Sequence, residues 1–443
     1  MLGQAAAKAL LERVLSYSTA DQTEVLLLAR YDSLTRYANS VIHQNVAETD
    51  TTIRVRAVVG QKIGVASTNE LDEASLKRVA DTALAIAAVQ NDNPDFHSLP
   101  GPASYAAVDA YVESTARFTP EQRAKAVGIA CHKASQNGLM AAGTFSTGSQ
   151  EIAIANSLGV MAYHPATSAE MIALMMSDSG SGYADFCSLD ATAIDVEAIA
   201  DEAVEKALRS RNPISLEPGD YEVVLQEYAA EDILASLGSQ GFSALAVQEG
   251  RSFMRLGEKV VGDNISIWDD GLSPDSLPLP FDFEGVPKRR VDLIEKGVAT
   301  AVVYDSYTAG KDGKVSTGHG LPAPNPMGPL PINLFMQTGT ATKDEMVKGI
   351  KRGLWVTRFH YTRPVHPLKV IITGMTRDGT FLIENGELAR PVKNLRYTQS
   401  YLEALSNVVA IGREAKLQQG YWGAGRVPAL RISKFTFTGA TEF

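Results

Sequence analysis

The spacing of apolar positions changes character several times along the first half of the chain. Residues 10–16 close an opening helix, and Glu24-Val25-Leu26-Leu27-Leu28-Ala29 reads as a buried strand. Residues 33–44, 51–58 and 62–66 follow as further strands, the last two turning at Val59-Gly60-Gln61. The period then lengthens. Leu76, Val79, Ala80, Ala83, Leu84 and Ala87 fall on one helical face, Asp72 is placed to cap it, and Asn91-Asp92-Asn93-Pro94 stops it.

The same order recurs. Thr119-Pro120-Glu121-Gln122 combines an N-cap threonine, a first-turn proline and a glutamine three residues on from the cap. Ala126, Val127, Ala130, Cys131 and Ala134 carry the apolar face of that helix, and Asn137-Gly138 ends it. Short strands are expected over 141–146, 150–156, 159–164 and 170–176, before a helix from Asp195 to residue 209. Helix and meander, twice over, predict an α+β fold: an N-terminal domain of helices on an antiparallel sheet, over residues 1–212.

Asn212-Pro213 and Pro218-Gly219 mark a boundary, beyond which strands punctuated by glycine dominate. Residues 219–443 are expected to form a β-rich, distorted barrel-like domain with helices around 229–247 and 342–352. Five prolines between 322 and 331 predict an extended loop. Thr376-Arg377-Asp378-Gly379-Thr380 predicts a hairpin turn, and Glu384-Asn385-Gly386-Glu387 a second one.

Composition narrows the classes. Hydrophobic residues make up 45% of the 443 and charged residues 21%, which excludes a disordered chain, a collagen and a long coiled coil. The net charge of −10, without a long basic block, argues against nucleic acid as a partner. Cys131 and Cys187 are the two cysteines, too few for a disulfide framework. Lys8, Glu12 and Arg13 interrupt the start before a signal-peptide core can form, and the longest apolar run near a helix is 83–89. The expectation is a cytoplasmic protein without a membrane partner.

The usual chemical signatures are missing: no serine-nucleophile elbow, no phosphate loop, no dinucleotide fingerprint, and no His-Glu dipeptide. His360 and His366 are six apart and would share one side of a strand, but Pro364 interrupts it. No metal ligand set is assigned. Acidic pairs at Asp269-Asp270 and Asp282/Glu284 ordinarily cap turns and face water, and do acid–base work only when burial separates their pKa values. Lys288-Arg289-Arg290, after Pro287, reads as a solvated edge or an interface patch.

Several second-half segments, in order and over about 200 residues, resemble one family. They are Arg255–Val260 leading to Ile267-Trp268-Asp269-Asp270-Gly271, then Phe281–Val286, Leu293–Val298, Ser316-Thr317-Gly318-His319 and Phe381–Leu388. The pattern is similar to the TldD/PmbA proteins, which include modulators of DNA gyrase and TldD/TldE-type metallopeptidases. The resemblance implies a chain built from an N-terminal α+β domain and a β-rich C-terminal one. TldD-like members carry His-Glu-x-x-x-His on a helix and a cysteine near the C-terminus, the two His and the Cys holding zinc. TldE/PmbA-like members lack that set and partner a TldD subunit in cleaving unfolded peptides.

This chain sides with the second kind. Its corresponding helix reads Tyr228-Ala229-Ala230-Glu231-Asp232-Ile233, without histidine, and the stretch expected to hold the cysteine reads Gln419-Gly420-Tyr421-Trp422-Gly423-Ala424-Gly425. The resemblance therefore implies no zinc in this chain, zinc in a TldD-like partner, and a dimer with that partner or with itself. No residue is given a catalytic role. The alternatives are a stand-alone metallopeptidase with an unorthodox site and a protein-binding modulator. Residues 331–337 alternate after the proline-rich loop, so they are expected either to pair their backbone with a guest peptide strand or to form an internal strand with both edges paired. Asn333, Phe335 and Gln337 would share one side there, with Ser316, Thr317, Gly318 and His319 nearby.

Overall fold

The structure, a computed structural model, describes residues 1–421 and 423–441. Its first half runs α1 (Gln4–Tyr17), β1 (Gln22–Ala38), β2 (Val41–Val59), β3 (Lys62–Thr68), α2 (Glu73–Val89) and α3 (Glu113–Ala116). It continues through α4 (Pro120–Gln136), β4 (Met140–Asn156), β5 (Met161–Met176), β6 (Ser181–Ser188) and α5 (Val196–Arg209). The two meanders join through β1 and β4 into a single antiparallel sheet, ordered β3-β2-β1-β4-β5-β6.

Side-chain alternation divides the faces of this sheet. Odd-numbered Val25, Leu27, Ala153 and Ala155 pack under α1 and α2, and Tyr37, Phe145, Met171 and Met175 pack under α4 and α5. Even-numbered Leu26, Ile152 and Ile154 face the other way, onto Leu279 and Phe281 of the second half. Helices α1, α2, α4 and α5 thus lie on one face, and the other is left to meet the C-terminal half. Helix starts follow the sequence closely. Asp72 accepts from the Ser75 N–H, and Thr119 and Gln122 form a capping box.

The strands are longer than expected. The chain reverses inside the segment 33–44, at Asn39 and Ser40, whose φ values of 52° and 59° make a two-residue turn. Residues 141–156 lie in one strand, and Gly148 within it sits where the Asp32 carboxylate of β1 leaves no room for a Cβ. Residues 161–176 are also one strand. Pro165 is tolerated because β6 pairs only with 169–176, so its missing N–H costs no ladder bond on that side.

The second half runs β7 (Gly219–Leu225), α6 (Glu227–Gly241), α7 (Ala244–Gln248), β8 (Ile267–Asp269), β9 (Val291–Glu295), β10 (Val298–Ala299), α8 (Ser306–Lys311) and β11 (Asn333–Met336). Then come α9 (Lys343–Lys348), β12 (Arg352–His366), β13 (Ile371–Glu384), β14 (Glu387–Pro391), β15 (Leu395–Ser400), α10 (Tyr401–Ser406), β16 (Val408–Gln419) and β17 (Ala424–Ala440). β17, β15, β13, β12 and β7 pair in succession, and β7 returns to β17, closing a five-stranded barrel. Phe359, Tyr397, Tyr401, Phe435 and Phe437 are part of its core.

Three expectations are corrected here. Asp378-Gly379 is not a hairpin turn: β13 continues through it as a bulge, with φ values of 55° and 118° and a register shift against β12. The helix expected over 342–352 stops at Lys348, since Gly349 gives way to β12, and that expected over 229–247 breaks at Phe242-Ser243 into α6 and α7. The turn at Asn385-Gly386 is present, joining β13 to β14.

Candidate functional site

The helix-free face of the first sheet and the loops of the C-terminal half enclose a cleft of about 410 Å³. Leu28, Arg30 and Asp32 of β1 and Gly148, Gln150 and Ile152 of β4 form one wall. Leu277–Leu279, Phe283, Ile332, Asn333 and the glycine-rich turn at Gly420, Tyr421 and Gly423 form the other. Trp422, expected near a family ligand position, lies outside the described residues.

Beneath Asn333 is a buried polar network. His319 Nε2 sits 2.8 Å from Asp269 Oδ1, its Nδ1 sits 2.9 Å from Thr317 Oγ1, and the Asn333 N–H donates to Asp269 Oδ2 at 2.7 Å. Lys288 Nζ lies 3.6 Å from Asp269 Oδ1. Burial alone would raise the Asp269 pKa, but the Lys288 ammonium and His319 outweigh it and hold the carboxyl below its usual range. Burial and Lys288 together lower the His319 pKa, so the imidazole is neutral and Nε2–H donates to Asp269. Lys288 and Asp269 are therefore not the solvated groups their sequence context suggested: both are buried.

The structure thus brings Asn333, Thr317 and His319 together around Asp269. Ser316 accepts from the Gly318 N–H and donates to the Tyr304 carbonyl, beside the same network. Phe335 stacks on Trp268, with ring centroids 5.6 Å apart, and Gln337 is exposed beyond the end of β11. The expectation of a free strand edge at 331–337 is corrected. β11 pairs with β17 on one side and β8 on the other, so its backbone has no place for a guest strand.

Glu231, on α6, is half-buried behind the glycine-rich turn, with its Oε2 shielded from solvent. A Cβ at Gly425 would collide with its carboxyl group, and Gly420 and Gly423 help line the same small space. Its Oε2 has no hydrogen-bond partner. Desolvation, with Asp232 and Asp185 nearby, pushes its pKa well above its ordinary value and favours the neutral acid. Cys187 is also close enough to feel it. Burial and the carboxyls of Glu170, Asp185 and Glu231 push that thiol up, away from the thiolate that zinc prefers. Among the described residues, no three or more His, Cys, Asp or Glu side chains converge as a metal site would require. The donors around Glu231 do not fit zinc.

Two further groups of charges, which no local motif announced, join the halves. Arg56 of β2 is buried between Glu24 of β1 and Glu284 of the C-terminal half, with Nη1 3.2 Å from Glu284. Asp282, two residues before, accepts from the N–H groups of Glu284, Val286 and Gly320, while burial and Glu284 push its pKa up to about 8. The acidic pair expected to face water is instead part of the interface. At the far end of the cleft, Gln418 donates to Asp185 at 2.9 Å, and Lys416 reaches Glu202 at 3.2 Å and the Tyr228 hydroxyl at 2.8 Å. Glu170 lies opposite Cys187 in the β5–β6 ladder, and burial together with Asp185 pushes its pKa up to about 7.

A helix-covered antiparallel sheet, facing a closed β-barrel across a polar cleft, defines an α+β architecture of two lobes. Sequence profiles for PmbA/TldA metallopeptidase domain 1, the central domain and the C-terminal domain match residues 23–87, 116–211 and 218–439. The chain belongs to the TldD/PmbA metallopeptidase family. It is 23% identical to the metalloprotease TldD homolog of Haemophilus influenzae, over 96% of this chain and 94% of that protein. It is 25% identical to the metalloprotease PmbA homolog of the same organism, over 82% and 81%. Its fold is similar to that of TldE from Thermococcus kodakarensis, with a TM-score of 0.89, 19% identity and coverage of 98% and 99%. A candidate modulator of a DNA gyrase from Thermotoga maritima gives a TM-score of 0.88 at 20% identity, over 97% and 100%.

Proposed function

We propose that this chain is the non-catalytic, TldE/PmbA-like subunit of a TldD/TldE-type peptidase acting on unfolded peptides, and that its partner supplies the zinc. The observation that carries the reading is Glu231. It occupies a helix position like that of the family's catalytic glutamate, but its carboxyl is pushed toward the neutral form and its Oε2 is shielded and walled in by glycines. A carboxyl that activates metal-bound water must be ionised and open to the substrate. The surroundings of Glu231 work against both conditions, and α6 carries no histidine beside it.

The chain's role is then to build a wall of the peptide cleft and to position the partner. Its cleft offers polar groups, such as Gln150 and Ser168, with apolar Leu28, Phe283 and Ile332, a lining suited to main-chain contacts with varied sequences. The two working units are residues 1–212 and 219–443, and the compartment is the cytoplasm. The test is proteolysis of an unfolded peptide by the chain alone and after addition of a TldD-like subunit. We expect cleavage only in the mixture, and Glu231→Gln in this chain should leave the mixture's rate within about twofold. Chelator-sensitive cleavage by the isolated chain, restored by zinc, would refute the proposal in favour of a stand-alone enzyme.

A further inference from the structure

We infer that the outer edge of β2 is a self-association surface, occupied by the same strand of a second copy of this chain, antiparallel about a twofold axis. The inference adds a homotypic contact to the pairing with a TldD-like subunit proposed above, and rests on the reading that the chain works as a subunit of an assembly.

β1 pairs with β2 along its whole length, but on the other side β3 reaches only residues 53–59. Among the described residues, 41–52 has no strand on that side. Val41 is 59% exposed and Ile42 41%. A long open edge carries a row of backbone donors and acceptors, and natural edges are normally blunted by lysine, proline, a bulge or a covering element. The sequence Val41-Ile42-His43-Gln44-Asn45-Val46-Ala47-Glu48-Thr49-Asp50-Thr51-Thr52 has no lysine, arginine, proline or glycine. The one register shift between β1 and β2, at Arg36/Tyr37, lies next to the hairpin turn. The charges this edge carries are those of Glu48 and Asp50, and it has none of the other blunting devices.

The segment is also complementary to itself. A twofold axis perpendicular to a sheet keeps each residue on its own face, so the central residue must lie opposite its own copy. Centring on Val46 sets Val46 against Val46, Gln44 against Glu48 and Ile42 against Asp50 on one face. On the other face, Asn45 meets Ala47, His43 meets Thr49 and Val41 meets Thr51. No like charges oppose each other, Gln44 can donate to Glu48, and β-branched pairs stand at the centre and the ends. Centring on Thr49 instead would set Glu48 against Asp50. The Val46 register spans residues 41–51, about 37 Å of strand at ~3.4 Å per residue. It would fuse two sheets edge to edge. An unrelated peptide would need none of this self-complementarity, and for that reason the second copy is favoured.

The test introduces one cysteine at a time in a Cys131→Ser background, where the remaining Cys187 is buried. Directly opposed residues have Cα atoms about 4.5–5.5 Å apart, within reach of a disulfide. Val46→Cys should therefore give a covalent dimer on mild oxidation. Val41→Cys should not, because its two copies would lie about 34 Å apart. Val46→Lys opposes two ammonium groups and should raise the dimer dissociation constant at least tenfold by sedimentation velocity, whereas Val46→Thr should match the wild type. A melting curve would confirm that the lysine variant folds, and the crosslink does not depend on it. A wild-type dimer with no Val46→Cys crosslink and no effect of Val46→Lys would overturn the edge while sparing the paired-subunit reading. Crosslinking solely to an added TldD-like subunit would overturn the second copy as occupant. A wild-type monomer at micromolar concentration would overturn the self-association surface and leave the pairing with a TldD-like subunit standing.

Discussion

Replacing Glu170 by glutamine tests the electrostatics of the lobe junction. Burial and Asp185 raise the Glu170 pKa from 4.5 to about 7 in the folded protein. Below pH 4.5 the side chain is protonated in both states, so it imposes no pH-dependent cost. Between pH 4.5 and 7 the unfolded chain releases this proton while the folded chain keeps it, and stability falls as pH rises. Above pH 7 the cost is constant. A shift of about 2.5 units at ~1.4 kcal/mol per unit sets an upper bound of roughly 3.5 kcal/mol. Glu170 is only half-buried, so water reduces this, and about 1–3 kcal/mol is expected. Glu170→Gln mimics the protonated form. It should unfold like the wild type in urea at pH 4 and at a higher midpoint at pH 8, the gap opening across pH 4.5–7. A gap that does not change with pH, or a variant less stable at pH 8, would refute the reasoning.

Other perturbations follow from the same packing. Gly425→Ala should destabilise the fold by about 1–3 kcal/mol through its collision with Glu231, and Glu231→Ala in the same chain should recover part of that loss in a thermal-melt double-mutant cycle. Arg56→Met should cost about 3–5 kcal/mol by stranding the Glu24 and Glu284 carboxylates, and adding Glu284→Gln should restore part of it, as judged by denaturant midpoint. Asp378→Ala removes acceptors used by Arg358 at 2.6 Å and by Ser181 of the first sheet, also at 2.6 Å. It should increase protease nicking between residues 209 and 219 before global melting changes.

What the residues revealed in advance was whatever is encoded locally. Asp72, Thr119 and Gln122 announce helix starts because caps act over three residues, and Asn385-Gly386 announces a turn because both occupy left-handed backbone. Asn39-Ser40 went unseen since it lacks glycine and sits inside an alternating stretch. Asp378-Gly379 misled for the opposite reason, carrying turn chemistry that is used for a bulge. Pro165 and Gly148 looked like breaks because their tolerance depends on which neighbour each strand has. The site was harder still. Arg56 and Glu284 are 228 positions apart, and nothing near Asp269 in the sequence shows that Lys288 and His319 will close around it. Burial, which sets the ionisation of Glu231, Asp282 and Glu170, is a property of the assembled lobes.

The position of β17 in the barrel has a consequence for how the protein is made. Strand β7 comes first in its lobe, yet it closes the ring only by pairing with β17, about 200 residues later; β11, β15 and β16 pair with β17 too. On the ribosome, the first six strands can form their sheet and gather their helices while the second lobe is still an unfinished curl. Residues 219–423 must wait, with several ladder edges unpaired, until β17 emerges from the exit tunnel. Folding of this lobe is therefore late, non-local and slow to commit, and it is the interval in which nascent chains are exposed to aggregation and to chaperones.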